Sequence, residues 1–111
     1  PHPGDLVQGL RALEEGFIPP VLDESVLDGR IVVDSQSSFA MSKELTQREG
    51  LFVGISCGAV VKAALKAAER LEGEQHIVCL LADGGWKYLS SNLWTVDWED
   101  QPGEVETKIW W

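Results

Sequence analysis

The 111 residues suffice for one compact domain and are too few for two. Hydrophobic residues make up 44% and charged residues 24%, a globular composition that excludes a disordered chain. Asp and Glu number 18 against 9 Lys and Arg, and the net charge of -9 argues against nucleic acid or an anionic membrane surface as a partner. No apolar run approaches the roughly 20 residues that span a bilayer. The start, Pro1-His2-Pro3-Gly4-Asp5, has no signal character, so a cytoplasmic location is expected. Cys57 and Cys79 are too few for a disulfide scaffold and are expected as reduced thiols. They share no metal-ligand spacing with His2 or His76, so no metal site is expected.

Leu6, Leu10 and Leu13 suggest a short helical piece that Gly16 ends, and Pro19-Pro20 then predicts an extended path. Asp28-Gly29 predicts a turn before the β-rich run Arg30-Ile31-Val32-Val33. Asp34 or Ser35 can cap a helix running to about Glu49 and stopping at Gly50, with Phe39, Ala40, Met41 and Leu45 as an imperfect apolar stripe. The apolar run Leu51 to Ile55 leads through Ser56-Cys57-Gly58 into the clearest helix. There, Ala59, Val60, Ala63, Ala64, Ala67, Ala68 and Leu71 form one apolar face, and Gly73 ends it. His76 to Leu81 predicts a strand buried on both faces, as in a parallel sheet. Asp83-Gly84-Gly85 breaks it, and a short helix is expected near Trp86 to Asn92. The order implies an α/β fold with a crossover between parallel strands.

In such sheets ligands sit at strand carboxyl ends and helix amino ends, which selects Gly54 to Gly58 and Ala82 to Gly85. The helix start offers N–H groups and a positive dipole end to an anion. Ser56 as a cap and Gly58 as a packing residue account for the same positions without a ligand. Cys57 has an electrostatic reason for thiolate character at a helix start, but no histidine lies near it in sequence. Arg11 could hold an anion bidentately or pair with Glu14 or Glu15 on the surface. Asp83 could face a cofactor or serve only as a turn residue before glycine. The final twenty residues, Asn92 to Trp111, carry five acidic groups, one lysine and four tryptophans. Such tryptophans are costly to leave in water, so this segment is expected to dock on its own domain or on a partner.

Three segments carry a resemblance. Val7-Gln8-Gly9-Leu10-Arg11 through Gly16-Phe17-Ile18-Pro19-Pro20 resembles the loop ending in "GFIP" of cysteine synthases. Glu49-Gly50-Leu51-Phe52-Val53-Gly54-Ile55-Ser56-Cys57-Gly58-Ala59 resembles "EGIFxGISSGA", and Asp83 to Ser91 resembles "SGERYLST". Their order resembles the fold-type II, pyridoxal-phosphate-dependent cysteine synthases, and the Gln-Gly-Leu-Arg and Gly-Trp-Lys-Tyr-Leu-Ser forms are most similar to the O-phosphoserine sulfhydrylase subgroup. The resemblance implies part of a parallel, three-layer α/β domain over residues 1–93 and an acidic, Trp-rich tail or lid over 94–111. It implies cysteine formation from O-phosphoserine, with sulfur from a donor such as a carrier protein.

By the same resemblance, Arg11 reads the substrate phosphate, and Gly9 lies against cofactor and substrate. Asp83 falls in the segment facing the cofactor's pyridine nitrogen, where relatives place a serine; either its carboxylate points away or the electronics differ. Trp110 and Trp111 match a segment that closes over the site, and Cys57 replaces the second serine of "ISSG". Relatives hold the cofactor on a lysine near the amino terminus and its phosphate in a Gly-Thr-Gly-Gly-Thr-type loop. Lys43, Lys62, Lys66, Lys87 and Lys108 match no such motif, so the resemblance covers the carboxyl-terminal third. The chain alone is expected neither to bind pyridoxal phosphate covalently nor to turn over, and no catalytic residue is assigned. Its exposed apolar surface is expected to favour self-association. An acetylserine-dependent cysteine synthase, a cystathionine synthase relative and a non-catalytic interaction module are the competing readings.

Overall fold

The computed structural model describes Leu10, residues 18–90, Trp94 and the backbone of 109–110. The expected helical piece around Leu6 to Leu13 lies outside these residues, apart from an exposed Leu10. Pro19 does not continue as an extended path. Its carbonyl accepts from the Leu22 N–H at 2.9 Å, closing a turn. A single 3-10 turn, Glu24–Val26, follows, capped by the Asp23 side chain on the Ser25 N–H at 3.0 Å.

Strand β1, Arg30–Ile31, is shorter than the β-rich run predicted. It pairs antiparallel with β2, Ile109–Trp110, in the register Arg30↔Trp110 and Ile31↔Ile109. Of the carboxyl-terminal segment, the backbone of residues 109–110 is described, and it lies on β1. Helix α1 spans Ser35–Glu49, as its end signals predict. Asp34 caps it, accepting from the Ser37 N–H and Ser37 Oγ at 2.8 Å each. At the far end Gly50 takes the left-handed backbone (φ 68°), and the Leu51 N–H returns to the Leu45 carbonyl at 3.2 Å.

Helix α2 spans Ile55–Ala68 and packs against α1. Its cap is Gly54, not Ser56, and it stops short of Leu71, leaving Gly73 (φ 79°) in the following loop. The imperfect stripe of α1 has a physical reason. Ser38 and Ser42, both fully buried, complete the face where apolar residues were expected. Ser42 Oγ reaches the Ser38 carbonyl at 3.0 Å and the Gly54 carbonyl at 2.9 Å. A Cβ at Gly58 would collide with the Ser38 carbonyl and with Ser42, so only glycine permits this helix approach. The core cluster is Val33, Ile55, Ala59 and Tyr88, with Ile31, Phe39, Ala63 and Trp94 packed around it.

The partial parallel three-layer sheet is not formed among the described residues. Their one sheet is the antiparallel pair β1–β2, together with a single antiparallel bridge between Val53 and Gly84. The predicted buried strand His76 to Leu81 runs without regular pairing, with Val78 96% and Leu80 81% exposed. A strand is stabilised by its ladder and by apolar neighbours on its faces, and no described strand lies beside this one. The expected helix after Trp86 is reduced to one 3-10 turn, Gly85–Tyr88. No described helix is long and apolar enough to cross a membrane.

Candidate active site

Two segments distant in sequence meet at the amino end of α2. The Gly54 N–H donates to the Asp83 carbonyl and the Gly85 N–H to the Phe52 carbonyl, each at 3.1 Å. This two-bond clasp joins the Gly54 to Gly58 segment to Ala82–Gly85, the two places selected from strand and helix ends. Close approach is required here, because a Cβ at Gly54 would meet the Asp83 carboxylate and lie 2.8 Å from the Tyr88 ring.

Asp83 is the hub. Its Oδ2 accepts from the Tyr88 hydroxyl at 2.6 Å, and its Oδ1 lies 3.7 Å from Cys57 Sγ. Its carbonyl also faces that thiol at 3.4 Å. The Asp83 carboxylate pushes the Tyr88 hydroxyl up to about 12, since losing the proton would place two anions side by side and break the bond. Tyr88 therefore stays protonated across the ordinary pH range. Cys57 is fully buried beside the Asp83 carbonyl and carboxylate, without the access that a reactive helix-start thiol needs. Both described cysteines are free, as expected.

Around this hub, Phe52 and Trp94 stack with ring centroids 4.9 Å apart and planes at 47°. Trp86 is exposed, with Lys87 Nζ 5.7 Å from its ring centroid. The described residues hold no group of three or more His, Cys, Asp or Glu able to bind a metal ion. Chemically, the junction holds one carboxylate beside a helix start, its Oδ2 bonded to the Tyr88 hydroxyl and its Oδ1 turned toward the buried Cys57 thiol. Such a group accepts from a protonated ring nitrogen or a comparable N–H donor.

Among the residues assigned from sequence, Asp83 sits in this junction. Gly9, Arg11 and Trp111 lie outside the described residues, and Trp110 is described only by its backbone in β2. Sequence reasoning missed Tyr88 and Ser42 as parts of the junction. For Ser42 the available signal was the i, i+4 serine pair on an interrupted apolar stripe. For Tyr88 it was an aromatic hydroxyl one short turn after an acidic strand end.

The comparisons with known proteins agree with this architecture. The family model described as "Pyridoxal-phosphate dependent enzyme" matches residues 1–83. A probable cysteine synthase of Bacillus subtilis (strain 168) is 41% identical over 80 residues, covering 72% of this chain and 26% of that protein. A cysteine synthase of Staphylococcus aureus is 35% identical over 88 residues, covering 79% of this chain and 28% of that one. The crystal structure of cysteine synthase (OASS) from Entamoeba histolytica superposes with a TM-score of 0.75 at 30% identity, over 89% of this chain and 28% of that chain. The chain thus spans little more than a quarter of each of these relatives. With a family match over residues 1–83 and the matched segments clasped around one carboxylate, the chain belongs to the pyridoxal-phosphate-dependent enzyme family.

Proposed function

We propose that this chain is the carboxyl-terminal part of the large domain of a cysteine synthase, with residues 94–111 as its acidic, Trp-rich lid. The complete enzyme would exchange the phosphate of O-phosphoserine for a sulfur nucleophile, releasing phosphate and giving cysteine. The observation that supports this is the clasp at the start of α2, which holds the Asp83 segment against the helix start in a chain whose residues 1–83 match the family.

By the motif resemblance, the junction would face one edge of pyridoxal phosphate. The carboxylate of Asp83 suits a ring nitrogen that carries a proton, and the Tyr88 proton keeps that carboxylate oriented. The sequence holds neither the lysine motif nor the phosphate loop of the family, so those belong to the remainder of the enzyme. When bound, the cofactor supplies the electron sink that lets the α-proton and the β-substituent leave. By the resemblance, Asp83 would be the group facing the ring nitrogen. Arg11 presents a planar fork that matches a phosphate bidentately and so selects the leaving group. Gly9 lets backbone lie against substrate. The Trp110–Trp111 end shields the site from water, which strengthens each polar contact inside it.

Joining the chain to the amino-terminal portion of a cysteine synthase tests this. Cysteine formation is then measured from O-phosphoserine and from O-acetylserine. A preference for O-phosphoserine is expected, and Arg11→Ala should lower it roughly 10- to 100-fold, the scale of a charged hydrogen bond. An unchanged preference in Arg11→Ala overturns the role given to that residue. The likeness to the Entamoeba enzyme, described as OASS, favours a second reading, an acetylserine-dependent synthase, and the same assay separates the two. Alone, the chain is expected to show no visible absorbance of covalently held cofactor after incubation and dialysis.

A further inference from the structure

We propose that residues 77–82 are a docking strand: in the complete enzyme they add to a β-strand of the amino-terminal portion, whose apolar residues cover Val78, Leu80 and Ala82. This rests on the reading of the chain as one part of a larger enzyme, and not on the substrate given to that enzyme.

The segment Ile77-Val78-Cys79-Leu80-Leu81-Ala82 holds no charge and no proline. Charges and proline are the devices that keep a strand edge from pairing, so nothing within it guards against a partner. Its exposure alternates with the period of a strand. Val78, Leu80 and Ala82 are exposed, the first two at 96% and 81%, whereas Cys79 and Leu81 are half-buried and Ile77 is 42% exposed. One face therefore leans on the domain and the other is bare. Among the described residues, no backbone group of 77–82 bonds to another backbone group. The segment is nonetheless anchored. Directly after it, the Asp83 carbonyl accepts from the Gly54 N–H at 3.1 Å, which fixes its end beside the start of α2. A strand laid on an open edge would satisfy the backbone groups, and an apolar layer would cover the bare face. The occupant has to supply both. A second copy fits poorly, because each copy carries a net charge of -9 and the two would repel. The amino-terminal portion fits. The Entamoeba cysteine synthase shares this fold over 28% of its length, so the larger share of such an enzyme remains to supply strand and layer.

Amide hydrogen exchange tests this on the chain alone and on the chain joined to the amino-terminal portion of a cysteine synthase, both without cofactor. Amides 77–82 should exchange rapidly in the chain alone and at least roughly tenfold more slowly in the joined chain. Rapid exchange in the joined chain, with α1 and α2 protected, overturns the inference. Equal protection in the chain alone, rising with its concentration, also overturns it, because a second copy then fills the same place. Urea unfolding of Val78→Ser is the second measurement. The substitution should lower the folded-to-unfolded ratio of the joined chain at least about tenfold, the loss of one buried valine, and that of the chain alone by less than about threefold. An equally small effect in both overturns the covering of Val78. Protection of 77–82 in a joined chain that forms cysteine from neither O-phosphoserine nor O-acetylserine supports the docking and overturns the proposed function instead.

Discussion

Residues 77–82 are apolar and form no regular element, yet Val78 is 96% and Leu80 81% exposed. One residue later, the turn from Asp83 to Tyr88 is clasped to the start of α2, and its tyrosine is buried in the core. The more hydrophobic of the two neighbours is the one left in water. Burial follows the partners a segment finds, not its hydropathy. The turn meets Gly54, Cys57 and the Phe52 carbonyl, whereas the preceding segment meets no described strand. Fully burying a valine or leucine is worth about 1.5–3 kcal/mol each, so the exposed segment is the surface where a partner would gain most.

The sharpest way to break the contrast is on the buried side. Gly58→Val should abolish the cooperative fold, because its side chain would meet a helix carbonyl that cannot swing aside. Loss of the far-ultraviolet helical signal on heating at much lower temperature, or its absence from the outset, would be the readout. Next is Tyr88→Phe, expected to cost about 1.5–3 kcal/mol at neutral pH in urea unfolding, the range for a hydrogen bond to a charged group. The pH dependence has a defined sign. The folded value is raised above the unfolded one, so this stabilisation is complete below about pH 10 and is lost as pH rises through about 12. The difference between wild type and Tyr88→Phe should therefore be flat through neutrality and close only in strong base. Asp34→Ala removes a helix cap and should cost about 1 kcal/mol, with α1 fraying first in amide exchange. Val78→Ser should change stability by no more than about 0.5 kcal/mol, since the side chain has almost no contacts to lose. It should also reduce self-association in sedimentation. A large loss of stability in Val78→Ser would show that residues 77–82 are not the open surface described.

How much was legible depended on range. The bounds of α1 follow from Asp34 and Gly50, because a cap and a left-handed stop act within a few residues. The start of α2 was misjudged by its cap. Gly54 fills that place because it sits in the clasp against Asp83, and Ser56 is carried into the first buried turn. The expected strand from His76 to Leu81 had the right composition, but strand formation is a property of a pair. The two ends of the candidate site were marked by the strand-end and helix-start rule, and Asp83 was named. That Tyr88 and Cys57 converge on it was not readable, since the bonds cross 5 and 26 positions through a turn and a helix packing.

By itself, the sequence determined the acidic globular character, the two helices and the three motif segments that resemble the cysteine synthases. These rest on composition and short-range patterns, which the chain carries wherever it folds. Only the tertiary structure decided that the backbone of residues 109–110 pairs with β1, that buried serines share the α1–α2 contact with apolar residues, and that the Asp83 carboxylate is held by Tyr88. Each of these needs two distant segments to meet at hydrogen-bonding distance, and that encounter is set by packing rather than by local preference.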